Sequence, residues 1–509
     1  MSSNPPDYKP AVLFGFLALL AIFLGVVLAN PTSREATIGT GLVVGALLLP
    51  FALKHHQLAL VALLQAPIKA FFFPGQPGLW LLVSFMSFGM AILAWALASR
   101  NRPTWDMRAG WPLIFLLVVV VITAQIHGGI GSKVLGSGAW GGMRYLTVVA
   151  AIVAFFAISA RPISVGDVKR FSDWYFLSGV LSAVSNLIFI AGPAFYFLFT
   201  VFSFELASFQ INDSGIERYT GLALAAAAAM NWMLLRHGIR GLTSFQSVWR
   251  LPVFAVLMGV SLLGGFRSTL LMLILLLLFQ FGFERLFRGR HLVGLVGAIV
   301  LTLALLVALG DRLPLSIQRS LSFLPIELSP VAKADAAGTL DWRLEMWAVV
   351  IPEVPKYLWI GKGFSFSGAD FYLTNLAVSE GRLAAYEDTL ISGNYHQGIL
   401  TLIIPFGLGG LLAFAWFAGA GWWILFNNYR RSPDAIRHVN TFLLSYYSAR
   451  LLFYLTLYGQ FDLDLIVFTS CVALSGAINR GHFLAQKQGQ SDEGRVPALW
   501  PREVAVAKG

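Results

Sequence analysis

The sequence predicts an all-α polytopic membrane protein with about 12–14 transmembrane helices and one long extracytoplasmic loop. Three observations lead there. The 509 residues are 57% hydrophobic and only 12% charged, half the roughly 25% of a soluble globular domain, and mean hydropathy is +0.73. Apolar residues fall in blocks of 16 to 30, the length needed to cross a hydrocarbon core of ~30 Å; the alternating ten-residue pattern of a transmembrane barrel is missing. Lysines and arginines cluster between those blocks, as in cytoplasmic loops. The net charge of +11 is therefore loop charge, and no nucleic-acid partner is expected.

The first block, 11–30, is longer than the 7 to 15 residues of a signal-peptide core and reads as an uncleaved first span. Further spans are expected at 36–53, 57–73, 79–98, 111–127, 141–160, 172–199, 219–235, 251–266, 268–283, 291–309, 397–426, 439–458 and 465–480. Pro67 and Lys69 interrupt the third, which fits a re-entrant or interfacial segment. The basic stretches Lys54 to His56, Arg100 to Arg108, Arg161 to Arg170, Arg236 to Arg250, Arg285 to Arg290 and Arg430 to Arg437 all fall on one side of this count. By the positive-inside rule that side is the cytoplasm, with both termini. The chain divides into a bundle at 1–309, an outer loop at 310–395, helices at 396–484 and a polar tail at 485–509 expected to be disordered. Cys471, alone in an apolar block, supports neither a disulfide framework nor a cysteine metal site.

The outer loop is too long for a connector and should fold on the membrane surface. Within it, Thr339 or Asp341 is placed to cap a short helix from Trp342 to Val350 that Pro352 helps to stop. Arg343 and Trp347, four apart, share a face of that helix, and its tryptophans are expected at headgroup level.

Candidate chemistry lies around this loop. Arg267 follows Gly264 and Gly265 at the break between two short spans, so its charge belongs at the outer interface. A charge at the bilayer centre costs ~2.5–3.5 kcal/mol, which makes such residues functional candidates, although snorkelling to headgroups is the plain alternative. Arg218, at the mouth of the next span, either pairs with Glu217 or joins Arg267 and Arg343. Three converging guanidiniums suit a phosphate on a lipid, because each forks onto two oxygens and stays charged. His396 stands where the loop re-enters the membrane, placed to act as a general base or merely to start a helix. His127 is the lesser candidate. Asp462 and Asp464 could hold a divalent metal, but two acids in a short loop are usually solvated; no metal and no cofactor is expected.

Over residues 200 to 430 the chain resembles the O-antigen ligase and polysaccharide polymerase superfamily. The resemblance rests on the order of five pieces: Arg218-Tyr219-Thr220-Gly221, Gly265-Phe266-Arg267-Ser268, Arg343-Leu344-Glu345-Met346-Trp347, Leu358-Trp359-Ile360-Gly361-Lys362-Gly363, and His396 followed by Phe406-Gly407-Leu408-Gly409-Gly410. Two positions depart from the pattern. Gln397 stands where the family usually has asparagine, and Phe266 where it usually has serine. The resemblance implies a metal-independent glycosyltransferase in a bacterial inner membrane. Its donor would be a polyprenyl-diphosphate-linked glycan, and its acceptor a glycan or lipid-glycan. Arg218, Arg267 and Arg343 would hold the diphosphate, and His396 would take the acceptor proton with Arg267 in the catalytic set. The alternative is a lipid-linked glycan flippase or transporter, which usually shows internal repeats that this chain lacks.

Overall fold

The computed structural model describes Gly25 and residues 54–97, 103–127, 140–207, 215–384 and 386–493, with backbone only at 290, 388 and 487–493. Residues 1–57 are a unit of their own, separate from 58–509; the expected spans 11–30 and 36–53 lie almost wholly outside the described residues. The protein is an all-α polytopic membrane protein. No strand occurs among the described residues, only isolated bridges.

The membrane helices follow the apolar blocks. They are α1 (Leu79–Leu97), α2 (Met107–His127), α3 (Gly142–Ser159), α4 (Val168–Leu177) running through a 3₁₀ turn into α5 (Ser182–Ala191), and α6 (Thr220–Leu242). Two shorter helices, α7 (Arg250–Ser261) and α8 (Arg267–Phe283), make the broken pair, and α9 (Arg290–Leu309) follows. After the outer loop begins come α10 (Leu315–Ser320), α11 (Pro330–Val350), α12 (Gly368–Ser379), α13 (Glu387–Ser392), α14 (Leu400–Arg430), α15 (Arg437–Thr456) and α16 (Phe461–Glu493), the first four of them within that loop. Eight helices among the described residues are long and apolar enough to cross a bilayer, and α7 and α8 are the shorter ones expected.

The core is an aromatic and aliphatic cluster shared by α3, α14, α15 and α16, with Tyr145, Phe155, Phe406, Phe417, Phe442 and Phe468 fully buried. By contrast, α9 has no residue buried inside the protein among those described, as its uniformly apolar surface allows in a membrane helix.

Three sequence expectations change. The segment 57–73 is not a span: its helix ends at 63, and Ile68 and Lys69 bridge to Phe202 and Gly78. Pro67 removes a donor and ends the helix. The short helix at Trp342 is the second half of α11, which begins at Pro330 behind Ser329. Proline at the first helical position pre-sets the backbone, and the alanines that follow propagate it. The tail expected to be disordered from 485 is helical as far as Glu493, a continuation of α16.

Two helix breaks shape the molecule. In α14, Pro405 and Gly407 (φ 60°) interrupt the backbone ladder. Loop residues 358–363 take over the freed groups: Leu408 N–H donates to Leu358 O at 2.7 Å, Lys362 N–H to Ile404 O at 2.8 Å and Gly363 N–H to Pro405 O at 3.0 Å. Any side chain at Gly361 would collide with the Pro405 carbonyl, which accounts for the glycines of that motif. In α6, Gly238 (φ 60°) breaks the helix and the Glu284 carboxylate caps the free N–H groups of Ile239 (2.8 Å) and Arg240 (3.1 Å). Nonhelical backbone at membrane depth persists only when satisfied in this way.

The basic loops gather at one end of the bundle. Arg240, Arg285, Arg430 and Arg437 line one pocket there, and Arg108, Arg431 and Arg480 line another. The outer loop, with Arg218, Arg267 and His396, lies at the opposite ends of α6, α8 and α14.

Candidate functional site

The site is built where α6 and α8 begin and α15 ends, under the long loop. Gly265 (φ 68°) turns the chain between α7 and α8, a conformation that favours glycine, and two arginine stems run alongside it. One stem is Arg218, just before α6; the other is Arg319 of α10. Both guanidiniums reach Asp335 on α11: Arg319 Nε donates to its carboxylate, and Arg218 Nη2 lies 3.5 Å from it. Arg319 also donates to the Gly265 carbonyl and, at 2.9 Å, to Thr339 Oγ1. Arg267 Nη2 donates to Ala336 O at 2.7 Å. The structure thus ties the helix break at Gly265 to the first half of α11 through three arginines.

Arg343 stands further along α11, its guanidinium 5.6 Å from the centre of the Tyr458 ring. His396 packs between aromatic rings, with centroids 5.3 Å from Trp342 and 5.5 Å from Tyr458. It holds a left-handed backbone (φ 52°), uncommon for a residue with a side chain and frequent where a fold fixes a group for use. Its neighbours explain the fixation. The Tyr395 carbonyl accepts Trp347 Nε1–H at 2.8 Å, and the Gly398 carbonyl accepts the Tyr454 hydroxyl at 2.7 Å. Gln397 serves the backbone, since its Oε1 accepts the Leu400 N–H at 2.6 Å and starts α14.

Arg343, His396 and Tyr458 meet at a cavity of about 390 Å³ between α6, α8 and α15. Its walls are largely apolar, among them Leu224, Ala227, Met230, Met272, Leu273 and Leu276, and Phe266 and Ser268 beside Arg267 belong to it. Arg218 and Arg319 both contact Asp335, and neither Arg267 nor Arg343 forms an ion pair among the described residues. Burial holds the Arg218 guanidinium below its usual range, and the neighbouring Arg319 adds to that. Burial does the same to Arg343 and also raises the Tyr458 hydroxyl. An anion entering beside Arg343, which burial disfavours as a cation, would relieve it.

All four residues read from the sequence lie at this end: Arg343 and His396 on the cavity, Arg267 beside it, and Arg218 one step away at Asp335. Arg218 contacts Asp335 rather than relying on Glu217, whose carboxylate accepts the Tyr219 hydroxyl at 2.7 Å. Trp342 packs on His396 and Trp347 donates to the Tyr395 carbonyl, so both rings cover the turn at the end of the loop. Asp462 and Asp464 form no joint site: Arg144 grips the first at 3.0 Å and Arg450 the second at 2.7 Å. Arg319, Asp335 and Tyr458 escape the sequence reading. Arg319 and Asp335 sit in stretches that read as ordinary polar loop, and only the turn at Gly265 brings them to Arg218.

Residues 251–415 match the family model described as O-antigen ligase. The matched segment is thus similar to O-antigen ligases over about a third of the chain. It runs from α7 into α14 and carries Arg267, Arg319, Asp335, Arg343 and His396, while Arg218 and Tyr458 complete the site from outside it. The match supports a membrane glycan transferase of ligase or polymerase type. A comparison with curated proteins gave no match.

Proposed function

We propose that this protein moves a polyprenyl-diphosphate-linked oligo- or polysaccharide to an acceptor hydroxyl on the extracytoplasmic face of a bacterial inner membrane. It would work as a surface polysaccharide polymerase or an O-antigen ligase. The observation that carries this reading is that Arg343, a guanidinium without a carboxylate partner among the described residues, lines an apolar cavity together with His396, and that Arg267, likewise without an ion pair among them, lies between two further lining residues, Phe266 and Ser268. A diphosphate brings the charge those groups lack, and the first prenyl units suit the apolar walls.

In this reading the acceptor hydroxyl oxygen attacks the anomeric carbon, and the bond from that carbon to the diphosphate oxygen breaks. Polyprenyl diphosphate leaves with the electron pair, and the hydroxyl proton passes to His396. Arg267 and Arg343 bind the diphosphate directly and stabilise the charge that grows on it, the effect expected of preorganised donors at a developing anion. Arg218 joins them when the diphosphate draws it from Asp335, while Arg319 holds the frame. Direct displacement inverts the anomeric carbon. Charge stabilisation comes from guanidiniums, and Asp462 and Asp464 stay committed to Arg144 and Arg450.

Arg267 provides the test. Arg267→Lys keeps the charge but loses the planar fork, so purified folded protein should still be badly impaired; Arg267→Ala should weaken donor binding as well as turnover. The same assay in excess EDTA should run at its normal rate. Parent-like transfer by Arg267→Lys would sink the diphosphate assignment, and activity lost to EDTA and restored by Mg²⁺ would shift the chemistry to a metal.

A further inference from the structure

We propose that the end of the bundle opposite the arginine cluster carries a binding site for the phosphoglycerol headgroup of an anionic phospholipid. The turns after α6, α8 and α14 meet there around a pocket of about 730 Å³. Arg240 and Arg430, in the last turns of α6 and α14, and Arg285, just after α8, line it together with His438.

The carboxylates of this pocket are already committed. Glu284 spends its oxygens on the N–H groups of Ile239 and Arg240 and on Gln280 Nε2. Asp434 pairs with Arg437 at 3.0 Å. Arg285 and Arg430 form no ion pair among the described residues. Arg240 is aimed by a 2.9 Å bond to the Glu284 carbonyl, which orients the guanidinium without cancelling its charge. Three guanidiniums without a carboxylate partner around one pocket are a site for phosphate oxygens.

Gln280 adds a second, different demand. It is 1% exposed, and its Nε2 donates to Glu284 Oε1 at 2.7 Å. A carboxylate only accepts, so the amide orientation is fixed and the side-chain carbonyl must point the other way. That oxygen is buried without a hydrogen-bond partner and belongs to a residue lining the pocket. It calls for a donor, which a phosphate lacks and a glycerol hydroxyl has. Phosphate and hydroxyl together describe a phosphoglycerol group.

The surroundings indicate a lipid as its bearer. The same turns expose large apolar side chains, Phe245 at 87% and Phe287 at 55%, which a bilayer interface accepts. Basic pockets between membrane helices are known to take anionic headgroups. The site is independent of the glycan-transfer reading.

The test is native mass spectrometry of the full-length protein in detergent, titrated with phosphatidylglycerol, phosphatidic acid and phosphatidylethanolamine of one acyl composition. Phosphatidylglycerol should bind at least about tenfold more tightly than phosphatidylethanolamine. The combined Arg240→Gln, Arg285→Gln and Arg430→Gln variant should lose at least about tenfold, a modest share of what three basic contacts contribute. Gln280→Leu should bring phosphatidylglycerol down to the level of phosphatidic acid. Arg288→Gln, a charge outside the pocket, should change nothing. If the triple variant does not fold, Arg285→Gln alone, an exposed side chain, should still weaken binding. Equal binding of phosphatidylglycerol by parent and arginine variants overturns the site; displacement of the lipid by millimolar glycerol phosphate overturns the lipid as its source.

Discussion

Replacing His396 by alanine is expected to lower glycan transfer by ~10²–10⁴-fold, the usual share of general acid–base catalysis. Donor binding should be largely spared, since the histidine addresses the acceptor proton while Arg267 and Arg343 address the diphosphate. The side chain lies between Trp342 and Tyr458 on a left-handed backbone, so a purely structural role has to be separated from a chemical one. His396→Asn, which tolerates the same backbone and keeps a polar group, serves that purpose. Both variants should melt near the parent and bind donor, yet fail in turnover. Near-normal transfer by folded His396→Ala would remove the histidine from the mechanism.

Asp335→Ala is expected to be the most destabilising single change at the site. Asp335 contacts both Arg218 and Arg319, whose side chains are 9% and 4% exposed. Removing one partner of a buried pair costs about 3–5 kcal/mol, because the remaining charge stays uncompensated. Here the change removes a carboxylate that two guanidiniums contact. Inorganic diphosphate should therefore stabilise the variant more than the parent, by mass action on a more cationic site. Thermal melts of both proteins over a diphosphate titration measure this. A variant that melts with the parent, or gains no more from diphosphate, would show that Asp335 is not the counter-charge of the cluster.

Much of this arrangement is legible in the sequence because a membrane simplifies the reading. Apolar length and basic loops place the helices, and Arg267 behind Gly264-Gly265 is conspicuous since a charge between two short spans needs a reason. His396 announces itself by its place at the end of the long loop. The outer loop hides the rest. Arg319 and Asp335 are separated by sixteen residues, and nothing periodic links them; their contact depends on α10 lying against the turn at Gly265. Trp342 and Trp347 look like interface anchors, since composition does not tell a ring that faces lipid from one that covers a turn. Asp462 and Asp464 suggest a pair until Arg144 and Arg450, on two other helices, each claim one.

The central claim is that the protein transfers glycan rather than moving its lipid carrier. The direct measurement reconstitutes purified protein in liposomes with a polyprenyl-diphosphate-linked oligosaccharide and a glycan acceptor, and follows two signals together: release of free polyprenyl diphosphate, and exposure of the lipid-linked sugar in the opposite leaflet. The account expects polyprenyl diphosphate to appear in step with elongated or capped acceptor, dependent on Arg267 and His396, while leaflet exposure stays at the protein-free rate. Accelerated exchange between leaflets with the carrier bond intact would contradict it and make the protein a transporter.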